Sequence, residues 1–132
     1  RQPECGGGRG AALRVSGGRS QGLEVTRGDI VVVATRGAYT SKPRPALVVQ
    51  SDAFNPTHAS ITICPVTSEC VDAPLFRILL PAGKRTGLTA ASQVMVDKVV
   101  SVPRDAVDRT IGRVDSAELQ SVGRALADWL SL

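Results

Sequence analysis

The chain has 132 residues and a formal charge of +4, with 42% hydrophobic and only 3% aromatic residues. This suits one packed domain with an aliphatic core, and no apolar run approaches the ~18–20 residues that a membrane span needs. Four arginines against two glutamates put half of the net charge in residues 1–24, so basicity alone favours a polyanionic partner only slightly.

Residues 1–22 hold seven of the thirteen glycines. Such a stretch cannot bury enough surface to offset its ordering entropy. Residues 1–24 are therefore expected to be a disordered Gly/Arg-rich tail, and residues 25–132 the folded domain. Structure is expected to begin at Arg27-Gly28-Asp29, followed by a β-branched run from Ile30 to Ala34 that reads as a buried strand. A polar loop, Thr35 to Pro43, leads to a second strand, Pro45 to Ser51; proline at a strand's first residue costs no ladder bond. Asn55-Pro56-Thr57-His58 is a turn. Ser60 to Val66 is a third strand and Leu75 to Leu80 a fourth, closed by Pro81-Ala82-Gly83. Ser92 to Val102 reads as one long fifth strand, with Met95, Asp97 and Val99 on one face. Pro103 to Arg109 looks like a short helical turn, and Thr110 to Val114 like a last short strand. Asp115-Ser116-Ala117-Glu118 has capping-box spacing, and Leu119, Val122, Leu126 and Leu130 behind it recur at helical intervals, with Trp129 beside them. The fold class is thus mostly β, a small barrel or curled sheet with a short helix and a C-terminal amphipathic helix.

The three cysteines, Cys5, Cys64 and Cys70, form no C-x-x-C pair, and His58 is the only histidine. A zinc site needs about four such ligands at set spacings, so no metal and no other cofactor is expected. With no secretory-type apolar segment at its start, the protein reads as cytoplasmic and its thiols as reduced. Cys64 lies in an apolar run and reads as a small core residue.

Several segments in order resemble a known family: Arg27-Gly28-Asp29-Ile30, Lys42-Pro43-Arg44-Pro45 with the apolar run behind it, Cys64-Pro65-Val66-Thr67-Ser68, Ser92-Gln93-Val94-Met95-Val96-Asp97-Lys98, and Ile111-Gly112-Arg113-Val114. Each is weak alone; together they resemble the MazF/PemK/Kid toxins of bacterial type II toxin–antitoxin modules. The resemblance implies an SH3-like barrel, a homodimer, and metal-independent cleavage of single-stranded RNA. It also implies a MazE-like antitoxin whose flexible acidic segment blocks the site.

Such cleavage uses the neighbouring 2′-OH as nucleophile and needs a base, an acid and a cation for the phosphorane charge. Arg44 stands between two prolines that fix φ on both sides, and its planar fork suits a phosphate; an ordinary surface arginine capping a strand is the bland alternative. Thr67, by resemblance, takes the family's catalytic threonine position, although a turn that holds its own backbone explains Thr67 and Ser68 equally well from sequence. Ser68, Asp29, Asp97, Lys42 and Tyr39 are the substrate-binding candidates. Asp97 stands among Val, Met and Lys, where a carboxylate needs a reason. The Kid branch has an arginine two residues before its matching aspartate, and here that residue is Met95. The Kid branch also has a histidine in the first loop, which here offers Tyr39, a residue able to stack on a base. Gly83-Lys84-Arg85-Thr86-Gly87 is not a phosphate loop: Ile78 stands where the pattern needs glycine, and no helix follows. It reads as a basic hairpin tip. Two rival functions remain open: a CcdB-like toxin that binds DNA gyrase through a C-terminal tryptophan, for which Trp129 is the candidate, and a non-catalytic RNA-binding barrel.

Overall fold

The structure, a computed structural model, describes residues 24–34 and 42–132. The expected N-terminal tail and Tyr39 lie outside the described residues. Seven strands run β1 (Asp29–Val33), β2 (Arg44–Val48), β3 (Ser60–Thr67), β4 (Arg77–Leu80), β5 (Ser92–Met95), β6 (Val100–Pro103) and β7 (Val107–Arg113), and helix α1 (Ser116–Leu130) closes the chain. All strand pairings are antiparallel.

The expected long fifth strand is broken. A 3-10 turn at Val96–Lys98 separates β5 from β6, and Asp97 sits in that turn rather than in a strand. Both halves still pair with β3: β6 with its first half, Ser60 to Ile63, and β5 with its end, Val66 and Thr67. The turn takes up the residues in between, so a continuous apolar run becomes two strands on one neighbour. The expected short helix is a 3-10 turn, Arg104–Ala106, and the last strand begins earlier than expected, at Val107.

The strands β6-β3-β2-β1-β7 form a curled sheet. β6 and β7 are joined by the 104–106 turn, with no ladder between them, so the expected SH3-like barrel is an open one. Alternation puts one set of side chains inside the curl: Val31, Val33, Ala46, Val48, Ile61, Ile63, Val102 and Val107. The other set, including Ile30, Leu47, Cys64 and Val66, meets the β4–β5 hairpin and α1 through Leu80, Val94, Val96, Val122 and Ala125. Both faces of the central strands are therefore buried, which explains why β1 reads as an unbroken apolar run.

Helix α1 starts where its sequence predicts. The Asp115 carboxylate accepts the Glu118 N–H at 2.7 Å, and the Glu118 carboxylate accepts the Asp115 N–H at 2.9 Å. Trp129 rests against Phe76 with ring centroids 5.4 Å apart and is 49% exposed. The basic segment 83–87 is a structural loop laid on β7. A Cβ on Gly112 would lie 2.2 Å from the Thr86 carbonyl carbon, and one on Gly87 (φ +74°) 2.2 Å from the Ile111 oxygen, so only glycine permits this backbone contact at either position. Arg85 turns its guanidinium to Glu118, at 2.8 and 3.0 Å.

Cys64 is a buried free thiol, and burial pushes its pKa up to about 12, so it is a core residue as expected. Cys70 is disulfide-bonded, against the expectation of three reduced thiols.

Candidate active site

Arg44 opens β2 as its one exposed residue. Pro43 precedes it and Pro45, which is buried, follows, so the backbone on either side has fixed φ. The β2–β3 register runs Ala46↔Pro65, Leu47↔Cys64, Val48↔Ile63. Continued two residues towards the strand ends, it brings Arg44 level with Thr67. Thr67 is in turn paired with Gln93 of β5. Arg44, Thr67 and Gln93 thus stand at one level across three neighbouring strands, and directly opposed residues share a face. The face is that of Ala46, Val48, Ile61 and Ile63, so Arg44 and Thr67 lie where that face reaches the ends of β2 and β3, with Gln93 buried beside Thr67 on β5.

The Arg44 guanidinium makes no hydrogen bond or ion pair among the described residues. The Thr67 hydroxyl oxygen accepts the Glu69 N–H at 3.0 Å. This is the hydroxyl turn that the sequence allows, and it leaves the hydroxyl proton available to a ligand. Ser68 is 2% exposed, and its Oγ is buried with no partner among the described residues. Lys42 is exposed just ahead of Pro43, on the same approach to the strand.

Both expected acids are already paired with a cation. The Asp29 carboxylate accepts the Thr26 N–H at 2.9 Å and pairs with the Arg113 guanidinium, its cross-strand neighbour. It starts β1, whereas Arg44 pairs with Val33 at the end of that strand, roughly 13 Å away at ~3.3 Å per residue. Asp97 is held by Arg77 in a two-point grip, Nε–Oδ1 at 2.8 Å and Nη2–Oδ2 at 3.2 Å. The hydrogen bonds and charge of Arg77 keep the Asp97 carboxyl below its ordinary range. Arg77 stands directly opposite Met95 on the neighbouring strand, which brings its guanidinium to Asp97 two residues further on. Its guanidinium also lies over Phe76, 6.0 Å from the ring centroid, beside Trp129 and α1.

Sequence reasoning missed both Arg77 and the role of Gln93. The available signal was a single charged or amide side chain inside an otherwise apolar strand, which requires a partner when buried. Gln93 is 1% exposed. Its Oε1 accepts the Val71 N–H at 3.1 Å, and its Nε2 donates to the Val71 carbonyl at 2.8 Å. Among the described residues, no group of three or more His, Cys, Asp or Glu side chains could hold a metal ion, and no helix is long and apolar enough to cross a membrane.

A family model described as "PemK-like, MazF-like toxin of type II toxin-antitoxin system" matches residues 26–130. The chain belongs to this family. Among its MazF-like relatives, a protein of Mycolicibacterium smegmatis named "Probable endoribonuclease MazF" is 44% identical over 106 residues, 80% of this chain and 96% of that protein. "Endoribonuclease MazF9" of Mycobacterium tuberculosis is 35% identical over 102 residues, 74% of this chain and 86% of that protein. The fold is shared with the MazE-MazF structure from Deinococcus radiodurans at a TM-score of 0.71 and 24% identity, over 83% of this chain and 99% of that chain. The MazF fold places the seven-stranded sheet and terminal helix described above in a known class, with the barrel left open.

Proposed function

We propose that this chain is a cytoplasmic endoribonuclease toxin that cuts single-stranded RNA at a short sequence motif, using Arg44 and Thr67 and no metal ion. The observation that supports this reading is the β2–β3 register, which, extended two residues beyond Ala46↔Pro65, would set Arg44 level with Thr67, in a chain of the MazF-like family. The RNA 2′-oxygen gives up its proton to water and attacks the adjacent 3′-phosphorus, the P–O5′ bond breaks, and the leaving 5′ oxygen takes up a proton from water. The products are a 2′,3′-cyclic phosphate and a 5′-hydroxyl. Negative charge grows on the phosphoryl oxygens in the transition state. A planar arginine fork and a threonine O–H are suited to receive it.

Lys42, exposed beside the pair, is assigned to RNA binding, with Tyr39 as a base-stacking candidate earlier in the sequence; Ser68, whose Oγ is buried, backs Thr67 and would reach RNA only if the segment after β3 moved. Asp29 and Asp97 are assigned to holding the fold, because each is already taken up by a cation and, for Asp29, a backbone N–H. The protein acts as a homodimer, and a cognate MazE-like antitoxin occupies the site with a flexible acidic segment, a polyanion in place of RNA. A structure of similar fold, an "Endoribonuclease in complex with its cognate antitoxin from Mycobacterial species", is consistent with that partnership.

The test is incubation of the purified protein with a long transcript in excess EDTA, followed by mapping of both product ends. Cleavage at a recurrent short motif with cyclic-phosphate and 5′-hydroxyl ends is expected. Activity that EDTA abolishes and Mg²⁺ restores would overturn the metal-free mechanism. Gyrase inhibition without RNA cleavage would favour the CcdB-like reading.

A further inference from the structure

Gln93 is a buried amide on a strand whose neighbour Val94 is fully buried in the core. A buried amide must satisfy a donor and an acceptor. Gln93 spends both on one residue, taking the Val71 N–H and giving its own N–H to the Val71 carbonyl. A side-chain amide is a chemical copy of a peptide group. Gln93 therefore adds one ladder-like rung between β5 and a segment that belongs to no strand.

That segment is the one that leaves β3 after Thr67. It is tied at its near end by the Glu69 N–H on the Thr67 hydroxyl, 3.0 Å, and at Val71 by Gln93. Thr67 and Gln93 are also direct cross-strand partners, so the tie at Val71 arises beside the residue whose hydroxyl it steadies. The Glu69 N–H fixes the acceptor side of Thr67 Oγ1. The direction left to the hydroxyl proton depends on where Glu69 is held, and hence on the rest of the segment.

We infer that Gln93 is a positioning residue for RNA cleavage: its clamp on Val71 fixes the 68–71 segment and so aims the Thr67 hydroxyl at the phosphate gripped by Arg44. This rests on the catalytic reading of Arg44 and Thr67. Such a residue acts on the chemical step and leaves RNA binding nearly untouched, because it meets no substrate atom. Misplacement of a catalytic group by about 1 Å costs up to ~10²-fold in rate.

Two variants test it. Gln93→Leu keeps the bulk and removes both bonds. Gln93→Glu keeps the shape, but its carboxylate repels the Val71 carbonyl until it takes up a proton, when the acid regains the donor. Single-turnover cleavage at saturating protein should fall about 10- to 100-fold in Gln93→Leu. Affinity for an RNA carrying a 2′-deoxy residue at the cleavage site should stay within about threefold on the same physical ground, since no RNA contact is lost. The cleavage rate of Gln93→Glu, relative to wild type, should rise as pH falls, and that of Gln93→Leu should not. Amide exchange at Glu69 and Val71 should speed up in Gln93→Leu, with thermal melts confirming that each variant is folded. If Gln93→Leu does not fold, the pH dependence of Gln93→Glu decides alone. Wild type that cuts RNA while folded Gln93 variants cut equally fast overturns the role of Gln93 only. Wild type that leaves RNA uncut overturns the catalytic reading and this role with it.

Discussion

Two arginines in this molecule stand near a short polar side chain, and they are used in opposite ways. Arg77, the first residue of β4, is sheltered, with side-chain exposures of 11% for itself and 17% for Asp97. Two of its donors, Nε and Nη2, end on the Asp97 carboxylate. Arg44 stands at the exposed start of β2, level with Thr67, and no carboxylate among the described residues answers it. A paired arginine has spent its charge on the fold. An unpaired one has kept it, on a backbone that two prolines already fix, so that only its side chain is left to order when an anion arrives. The two acids offered by the sequence, Asp29 and Asp97, are used like Arg77: each is held by a cation, at a strand start and in a turn.

The largest effect expected from this contrast is on catalysis. Arg44→Ala should lower single-turnover RNA cleavage by about 10²–10³, the usual loss for one preorganised charge-stabilising donor. Arg44→Lys should not restore it, since the ammonium lacks the planar two-point grip. Neither should change the thermal melt, because Arg44 holds nothing in the fold. Thr67→Ala should also slow cleavage, and the double variant should lose less than the product of the two single losses, as for residues gripping one phosphate. A folded Arg44→Ala that cleaves at the wild-type rate would remove the site from this end of the sheet.

Arg77 should show the reverse pattern. Arg77→Ala leaves Asp97 sheltered without its cation, at a cost of about 1–3 kcal/mol, between the values for exposed and fully buried pairs. Denaturant unfolding should report that loss, while the folded variant keeps its cleavage rate. A variant of unchanged stability that no longer cleaves RNA would instead make the Arg77–Asp97 pair part of the site.

The smallest effect is in pH dependence. Arg77 lowers the Asp97 pKa in the folded state, so below about pH 4 the unfolded chain binds the proton first. The pair's contribution is present above the ordinary carboxylate pKa and is lost as pH falls through the lowered one. Asp97→Asn should flatten that part of the acid limb in melts taken between about pH 5 and 2. An acid limb identical to wild type would show that the pair adds nothing to stability.

Local pattern was sufficient where the physics is local. The capping box at Asp115 and Glu118, the buried run Ile30 to Val33, the prolines around Arg44 and the hydroxyl turn at Thr67 all depend on neighbours within a few residues. The family resemblance came from the same short segments in order. Local pattern failed in the 92–102 run, where continuous apolar residues read as one strand. The break at Val96–Lys98 exists because β3 takes β5 and β6 at different places along its length, which no periodicity within the run records.

The sequence by itself determined the mostly β class, the terminal helix, the family, and Arg44 and Thr67 as candidates. Only the tertiary structure decided which polar groups are already satisfied. Arg77 reaches Asp97 across a strand pair; Arg113, far along the sequence but opposite on β7, reaches Asp29; and Gln93 reaches Val71 outside the sheet. Those pairings join residues 20, 84 and 22 positions apart. Register sets them, and register is fixed by burial of two faces at once, a property of the assembled sheet and not of any one segment.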